Sequence, residues 1–465
     1  MQKIPALLTI SLFFVFTVTA QEFSNPVLNG RLRVSGNGRF LVHENGKPFY
    51  WLGDTGWELF HRLTREEAEL YLQNRAAKGF TVIQAVVLAE LNGLRDPNAY
   101  GELPLENLDP SKPREAYFKH VDWIIDKAAE LGLYIAVLPT WGDKVFKDRW
   151  GEGPEIFNAA TAMIYGKWIG NRYKDRKNVI WVMMGDRNPR HEEDVKVWNA
   201  LANGITDGVG GADRALITAH PQPTAMDEGG SGHWFHREPW FDFNMFQTGH
   251  CRENPVYDRL MVAYNRLPVK PTFDGEPLYE DHPVCFNRKE LGLSNAYDVR
   301  MGAYLSVFAG GFGNTYGCHD IWQFYTTGRK SVNGASIDWK DAMDLPGSFQ
   351  MKYLRKLIES RPMLDRVPDQ SLLTENFSVY ERVQCTRGKD YAFVYSIKGK
   401  PFTVNMGKIS GEKVVASWYD PKNGKSHPIG SFENRGQHKF IPPSEGYGSD
   451  WVLIIDDASR NYGQP

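Results

Sequence analysis

The sequence predicts an α/β chain: a (β/α)₈ TIM barrel followed by a C-terminal antiparallel β-sandwich. Three observations predict it. Between about residues 48 and 362, short apolar runs alternate with amphipathic stretches, the pattern of a parallel sheet with helices outside it. Polar and aromatic residues gather where those runs end, which is where a barrel carries its site. After Pro362 the pattern changes to apolar/polar alternation broken by turn signals, as in paired antiparallel strands.

The 465 residues divide into four expected segments. Residues 1–20 read as a signal peptide: Lys3 supplies the positive start, Ala6 to Val18 is almost wholly apolar, and Val18-Thr19-Ala20 places small residues before a cut ahead of Gln21. That apolar run is roughly 13 residues, short of the about 20 that cross a bilayer. No later segment is long and apolar enough to span, so export to the periplasm or beyond is expected, without a membrane span. Residues 21–47 form an N-terminal β-hairpin segment turning at Asn45-Gly46, placed either under the barrel or beside the sandwich. Residues 48–365 form the barrel and residues 366–465 the sandwich.

The first barrel strand reads Pro48 to Asp54, followed by a helix from Arg65 to Lys78 with Thr64 and Glu67 as its capping box. The second strand is Thr81 to Leu88. A helix from Tyr117 to Leu131 repeats apolar residues at Val121, Ile124, Ile125 and Ala128. The third strand is Tyr134 to Thr140, with a helix from Ile156 to Tyr173 after it. Val179 to Met184, the fourth, is a continuous apolar run, as a strand buried on both faces should be. The helix Glu192 to Thr206 follows. Ala215 to Ala219, Phe243 to Thr248, Pro271 to Asp274 and the glycine-rich Gly311 to Tyr316 complete eight strands. Helices from Tyr257 to Arg266, Ala296 to Phe308 and Phe349 to Ser360 accompany them. In the tail, Phe377 to Tyr380 and Ala392 to Tyr395 read as strands, and Lys422-Asn423-Gly424 as a turn.

Composition narrows the function. A formal net charge of -2 points to no nucleic-acid or anionic-membrane partner. The 14 Trp offer flat apolar faces for sugar rings, although core packing competes for each of them. Cys251, Cys285, Cys318 and Cys385 match no zinc spacing; isolated buried thiols are expected, with one bridge as the alternative. No phosphate loop is present, and Gly310 to Gly317 misses the dinucleotide spacing by one residue. Neither a cofactor nor a metal is expected, and nothing sets an oligomeric state.

The strand ends carry the candidate site. Strand one ends at Asp54, with Trp57 behind it; strand two contributes Gln84 and ends near Glu90; strand three ends in Trp141 and Asp143. Strand four ends in Gly185-Asp186-Arg187-Asn188-Pro189, strand five in His220 and strand six in His250. Strand seven ends in Asp274-Gly275-Glu276-Pro277, and strand eight in His319-Asp320 with Trp322 following. Glycoside cleavage needs two carboxyl groups flanking one bond, and strands four and seven face each other across an eight-stranded barrel. Asp186 and Glu276 meet that requirement. Glu280 is the competing nucleophile, helix capping is the competing role for Asp186, and a turn role competes for Asp54. Trp57, Trp141, Trp234 and Trp322 are candidates to stack a sugar. Asp54, Gln84, Asn188, His220, Glu280 and His319 are candidates to bind its hydroxyls. The expected partner is an oligosaccharide or polysaccharide. The reading from another class is a non-catalytic glycan- or matrix-binding surface protein, motivated by the sandwich.

Trp51-Leu52-Gly53-Asp54-Thr55, the Asp186 and Glu276 segments, and Gly310 to Gly317 together resemble the apiosidase-like glycoside hydrolases. These are exported enzymes of Bacteroides-type bacteria, and the resemblance covers about residues 28 to 455. It implies a barrel with an acid/base aspartate after strand four, falling on Asp186, and a nucleophilic glutamate after strand seven, falling on Glu276. It also implies a C-terminal module labelled collagen-binding, and release of apiose, or of a capped disaccharide, from pectin side chains. Many barrel glycosidases have Glu where this chain has Asp186.

Overall fold

The computed structural model describes residues 25–223 and 228–465; the expected signal peptide, residues 1–20, lies outside them. Eight parallel strands make the barrel: β1 (Trp51–Thr55), β2 (Val82–Leu88), β3 (Tyr134–Thr140), β4 (Val179–Met184), β5 (Ile217–His220), β6 (Asn244–Gln247), β7 (Thr272–Glu276) and β8 (Gly313–Tyr316). Six run in the order β8-β1-β2-β3-β4-β5, and β6 pairs with β7. The two sheets meet at two seams, where Asp242 N–H donates to Ile217 O (2.9 Å) and Phe312 N–H to Thr272 O (3.1 Å). Every residue of β2, β3 and β4 is buried, which is why these strands read as unbroken apolar runs.

The outer helices are α1 (Arg65–Ala77), α2 (Glu115–Glu130), α3 (Ala159–Tyr173), α4 (Glu192–Val209), α5 (Val256–Tyr264), α6 (Ala296–Phe308) and α7 (Pro346–Glu359). Thr64 and Glu67 form the expected capping box on α1. The α2 stripe of Val121, Ile124, Ile125 and Ala128 is buried. Helices α3 and α4 cross with their backbones nearly touching; a Cβ on Gly204 would lie 2.5 Å from Met163 O. Between β5 and β6 the described residues include a four-residue α-helix, Gly232–Phe235, and no longer one. Gly229, Gly230 and Gly232 crowd that connection, and it has no apolar stripe to bury, so one of the eight expected strand–helix units is incomplete.

The barrel floor is a plug of four rings. Phe273 lies 4.9 Å from Trp51 and 4.8 Å from Phe312, and Phe243 lies 5.7 Å from Phe312, measured between ring centroids. Beneath it sits the N-terminal segment. Pro48–Phe49 leaves the expected first strand and pairs with Leu41–His43, which pairs with Leu32–Val34. Pro48, lacking an N–H, suits that edge. Tyr134 donates to Gly30 O (2.6 Å), tying this sheet to the floor rather than to the sandwich.

The C-terminal strands form a six-stranded antiparallel sheet and a second pair, Phe402–Asn405 with Gln437–Phe440. Tyr391–Ser396 shows how the module docks. Ala392 and Val394 face the sandwich core, while Tyr391, Phe393 and Tyr395 join the barrel core. Tyr395 stacks on Tyr304 of α6 at 4.8 Å, and Arg300 pairs with Asp450 at 2.6 Å with both side chains buried. The expected strand Phe377 to Tyr380 does not form; its end is a short 3₁₀ turn, Val379–Glu381, with Tyr380 exposed. Cys251 and Cys285 are bridged, correcting the expectation of isolated thiols; Cys318 and Cys385 are free and buried. Among the described residues, no helix is long and apolar enough to cross a membrane.

Candidate active site

Strand β4 ends in three consecutive residues with positive φ: Met184 (71°), Gly185 (104°) and Asp186 (53°). Side-chain-bearing residues hold such angles at a cost of order 1–3 kcal/mol each, and only where the surroundings dictate it. Here Asp186 N–H donates to His220 Nδ1 (3.2 Å), while Arg187 Nη1 (2.7 Å) and Gln222 Nε2 (3.0 Å) donate to Asp186 O. At Gly185 a Cβ would come within 2.8 Å of the Trp141 ring. The turn projects the Asp186 carboxyl into a cavity of about 480 Å³ above the strand ends. Its Oδ2 accepts from Trp150 Nε1 at 2.6 Å.

Glu276 is the last residue of β7, where the pairing with β6 slips between Asp274 and Glu276. Asp274 turns away to accept from the Thr248 hydroxyl at 2.5 Å. Glu276 turns into the cavity. Its Oε2 lies 2.8 Å from His220 Nε2 and its Oε1 3.5 Å from His250 Nε2. The 2.8 Å approach is poorly aligned, so it counts as a charge contact rather than a formed hydrogen bond. Because His220 Nδ1 accepts the Asp186 N–H, the ring proton sits on Nε2, facing Glu276.

These surroundings push the two carboxyl groups apart. Burial and the charge of Glu276 raise Asp186 to about 7, against the pull of His220, Arg187 and Trp150. Burial would raise Glu276 as well, but His220 and His250 overcome it and hold that carboxyl below the usual range. Near neutral pH one group keeps its proton and the other does not. Such a pair can protonate a leaving oxygen on one side and attack, or activate water, on the other. Trp57, Trp141, Trp150 and Trp322 supply flat walls around the pair. A second hollow of about 560 Å³, between Leu94 and Arg114, has one carboxylate, Glu106, and no facing partner for it.

The apiosidase-like catalytic domain family matches residues 35–365, most of the chain. The chain belongs to the apiosidase-like glycoside hydrolases. A family described as "Putative collagen-binding domain of a collagenase" matches residues 367–456. Among solved structures, one described as a glycoside hydrolase is 40% identical, with a TM-score of 0.85 over 95% of this chain and 100% of its own. A glycoside hydrolase family 5 protein from Bacteroides vulgatus ATCC 8482 is 38% identical, with a TM-score of 0.86 over 95% of this chain and 96% of its own. No curated protein matches the chain. The protein is therefore a glycosidase, and its substrate is a carbohydrate.

In this apiosidase-like enzyme, Asp186, Glu276, Trp57, Trp141 and Trp322 share the cavity wall. Other sequence candidates lie elsewhere. Asp54 is buried against α1, accepting from Tyr71 (2.6 Å) and paired with Arg75. Gln84 crosses the barrel interior to donate to Gly275 O (2.9 Å), bracing β7 beside Glu276. Glu280 is locked by the Tyr316 hydroxyl (2.6 Å) and the Gly347 N–H (3.0 Å). Asn188 accepts from Gln222 N–H (2.9 Å). Trp234 sits on the short helix after β5, outside the wall. His220 and His319 stand behind the wall, His220 against Glu276 and His319 against Trp322 and His282.

The wall also includes Gln247, the last residue of β6, and Trp150, Tyr279, His282 and Phe286, which strand-end reasoning does not reach. Trp150 lies on a loop organised by Asp143, whose Oδ2 accepts from Glu152 N–H (3.0 Å) and Gly153 N–H (2.9 Å). His250 and Glu90, both at strand ends in the sequence, also line the wall.

Proposed function

We propose that this enzyme cleaves a glycosidic bond in pectin side chains with retention, using Asp186 as acid/base and Glu276 as nucleophile. The observation that carries the reading is the split between the two carboxyl groups: Asp186 raised to about 7, Glu276 held below the usual carboxylate range. Asp186 gives its proton to the glycosidic oxygen as Glu276 attacks the anomeric carbon. The leaving group departs and a glycosyl–Glu276 ester remains. Asp186, now a carboxylate, takes a proton from water, the water oxygen attacks the same carbon, and Glu276 is released. Asp186 feels the charge of Glu276 across the cavity, and retention needs a carboxyl separation of about 5–5.5 Å. Trp57, Trp141 and Trp322 stack the sugar faces. His220 acts through Glu276, holding it ionised.

The pectin assignment, with apiose as the sugar released, rests on the family's name. We take residues 48–365 as the catalytic unit and 366–465 as its buttress, since the aromatic face of Tyr391, Phe393 and Tyr395 is occupied by the barrel. The matched collagen-binding family motivates matrix binding as a second role for that module. We place the enzyme outside the cytoplasm; the Cys251–Cys285 bridge favours an oxidising compartment. The test is a panel of pectic oligosaccharides, reading released sugars by chromatography and the first-formed anomer by proton NMR. Release from apiose-bearing members with the anomer unchanged is expected. No release removes the substrate assignment, and an inverted anomer removes Glu276 as nucleophile.

A further inference from the structure

The mechanism above leaves a third carboxyl in the cavity unused. Glu90 follows β2 in the wall, and its carboxyl makes no hydrogen bond or ion pair with any described residue. The charged groups facing it are Asp186, Asp143, Glu58 and Lys144. The cations nearby are already engaged. Lys144 Nζ lies 2.7 Å from Asp143 Oδ1 and donates to Ala89 O at 2.8 Å. Glu58 holds His61 at 2.6 Å and Arg62 at 3.7 Å. Three acids and a committed lysine thus surround Glu90, and burial together with those like charges raises it well above the usual carboxylate range. The described wall carries three acids, Glu90, Asp186 and Glu276, and the Arg187 guanidinium beside it is engaged by Asp186, 4.0 Å from its Oδ2 and donating to its backbone O at 2.7 Å.

We propose that Glu90 is a substrate-binding residue that holds two adjacent sugar hydroxyls as a neutral acid, donating its O–H to one and accepting from the other. The inference rests on the glycosidase reading of this cavity and refines it.

Quenching of the wall tryptophans reports sugar binding without turnover. Apiose is the probe, titrated into wild type, Glu90→Gln and Glu90→Ala. Glutamine keeps one donor and one acceptor without a charge, so Glu90→Gln is expected to bind apiose within about threefold of wild type. Glu90→Ala is expected to bind about tenfold more weakly, the loss of a paired hydrogen bond. Wild-type binding weakens as pH rises and Glu90 ionises, and Glu90→Gln loses that part of the pH dependence while keeping the part that follows Asp186. Two results would each overturn the proposal: Glu90→Ala binding like wild type, or Glu90→Gln binding as weakly as Glu90→Ala. If the oligosaccharide panel is not cleaved while binding follows the expected pattern, the proposed reaction fails and the role of Glu90 stands. If the panel is cleaved and Glu90→Ala matches wild type in binding and KM, the reverse holds.

Discussion

His220 lies wholly buried against Trp57 and Trp141, with ring centroids 5.4 and 5.9 Å away, and each of its nitrogens faces one half of the site. Nδ1 takes the Asp186 N–H and Nε2 faces Glu276, so one ring fixes the turn that carries the acid and the charge of its partner. The pH dependence follows with a definite sign. The proposed reaction needs Asp186 protonated and Glu276 ionised, so kcat/KM should fall as pH rises through about 7, with its acid limb below the usual carboxylate range. A profile level up to pH ~9 would contradict the assignment of Asp186 as acid. Gly185→Ala should disturb the same turn, through its φ of 104° and the clash with Trp141. A loss of about 1–3 kcal/mol of stability is expected in denaturant melts, with reduced turnover. Strand-end position made Asp186, Glu276, Trp57, Trp141 and Trp322 legible in the sequence. It did not separate them from Asp54, because which way a strand-end side chain turns depends on pairing. Only the fold shows Arg75 and Tyr71 waiting on the outer side of β1.

The loops after β6 and β7 are joined by the Cys251–Cys285 bridge, 34 residues apart in sequence. They carry His250, His282 and Phe286 into the cavity wall, and Cys285 N–H donates to His250 O at 2.6 Å. Closing a loop of that length stabilises by about 3–4 kcal/mol on chain-entropy grounds. The double variant Cys251→Ser, Cys285→Ser should therefore melt at lower denaturant and show a raised KM; unchanged unfolding and KM would mean the loops hold without the bridge. Four cysteines at irregular spacing did not disclose this pair, since bridging depends on which loops the barrel brings together. Regular elements were plainer. Tyr134 to Thr140 and Val179 to Met184 read correctly as strands because burial on both faces leaves an unbroken apolar run. Phe377 to Tyr380 has the same texture in four residues, too few to tell a strand from a turn that tucks one ring inward.

Barrel and sandwich behave as one body because a continuous aromatic layer and two buried ion pairs, Arg300–Asp450 and Arg361–Asp456, cross between them. Removing one partner strands a buried charge. Arg300→Ala should cost about 3–5 kcal/mol, read as a lower unfolding midpoint shared by both domains. Separate transitions, or none shifted, would mean the module is only tethered. The architecture was legible from its two periods, strand–helix alternation and then period two. The docking was not, because Tyr391, Phe393 and Tyr395 look like any buried face until α6 is seen against them. Across the whole molecule the central claim is that this architecture brings Asp186 and Glu276 together to cut a glycosidic bond. The most direct test measures turnover of a cleaved pectic oligosaccharide by wild type, Asp186→Asn and Glu276→Gln, with folding checked by circular dichroism. The account predicts that each folded variant loses about 10²–10⁴-fold or more in kcat. Turnover within tenfold of wild type in either variant would contradict it.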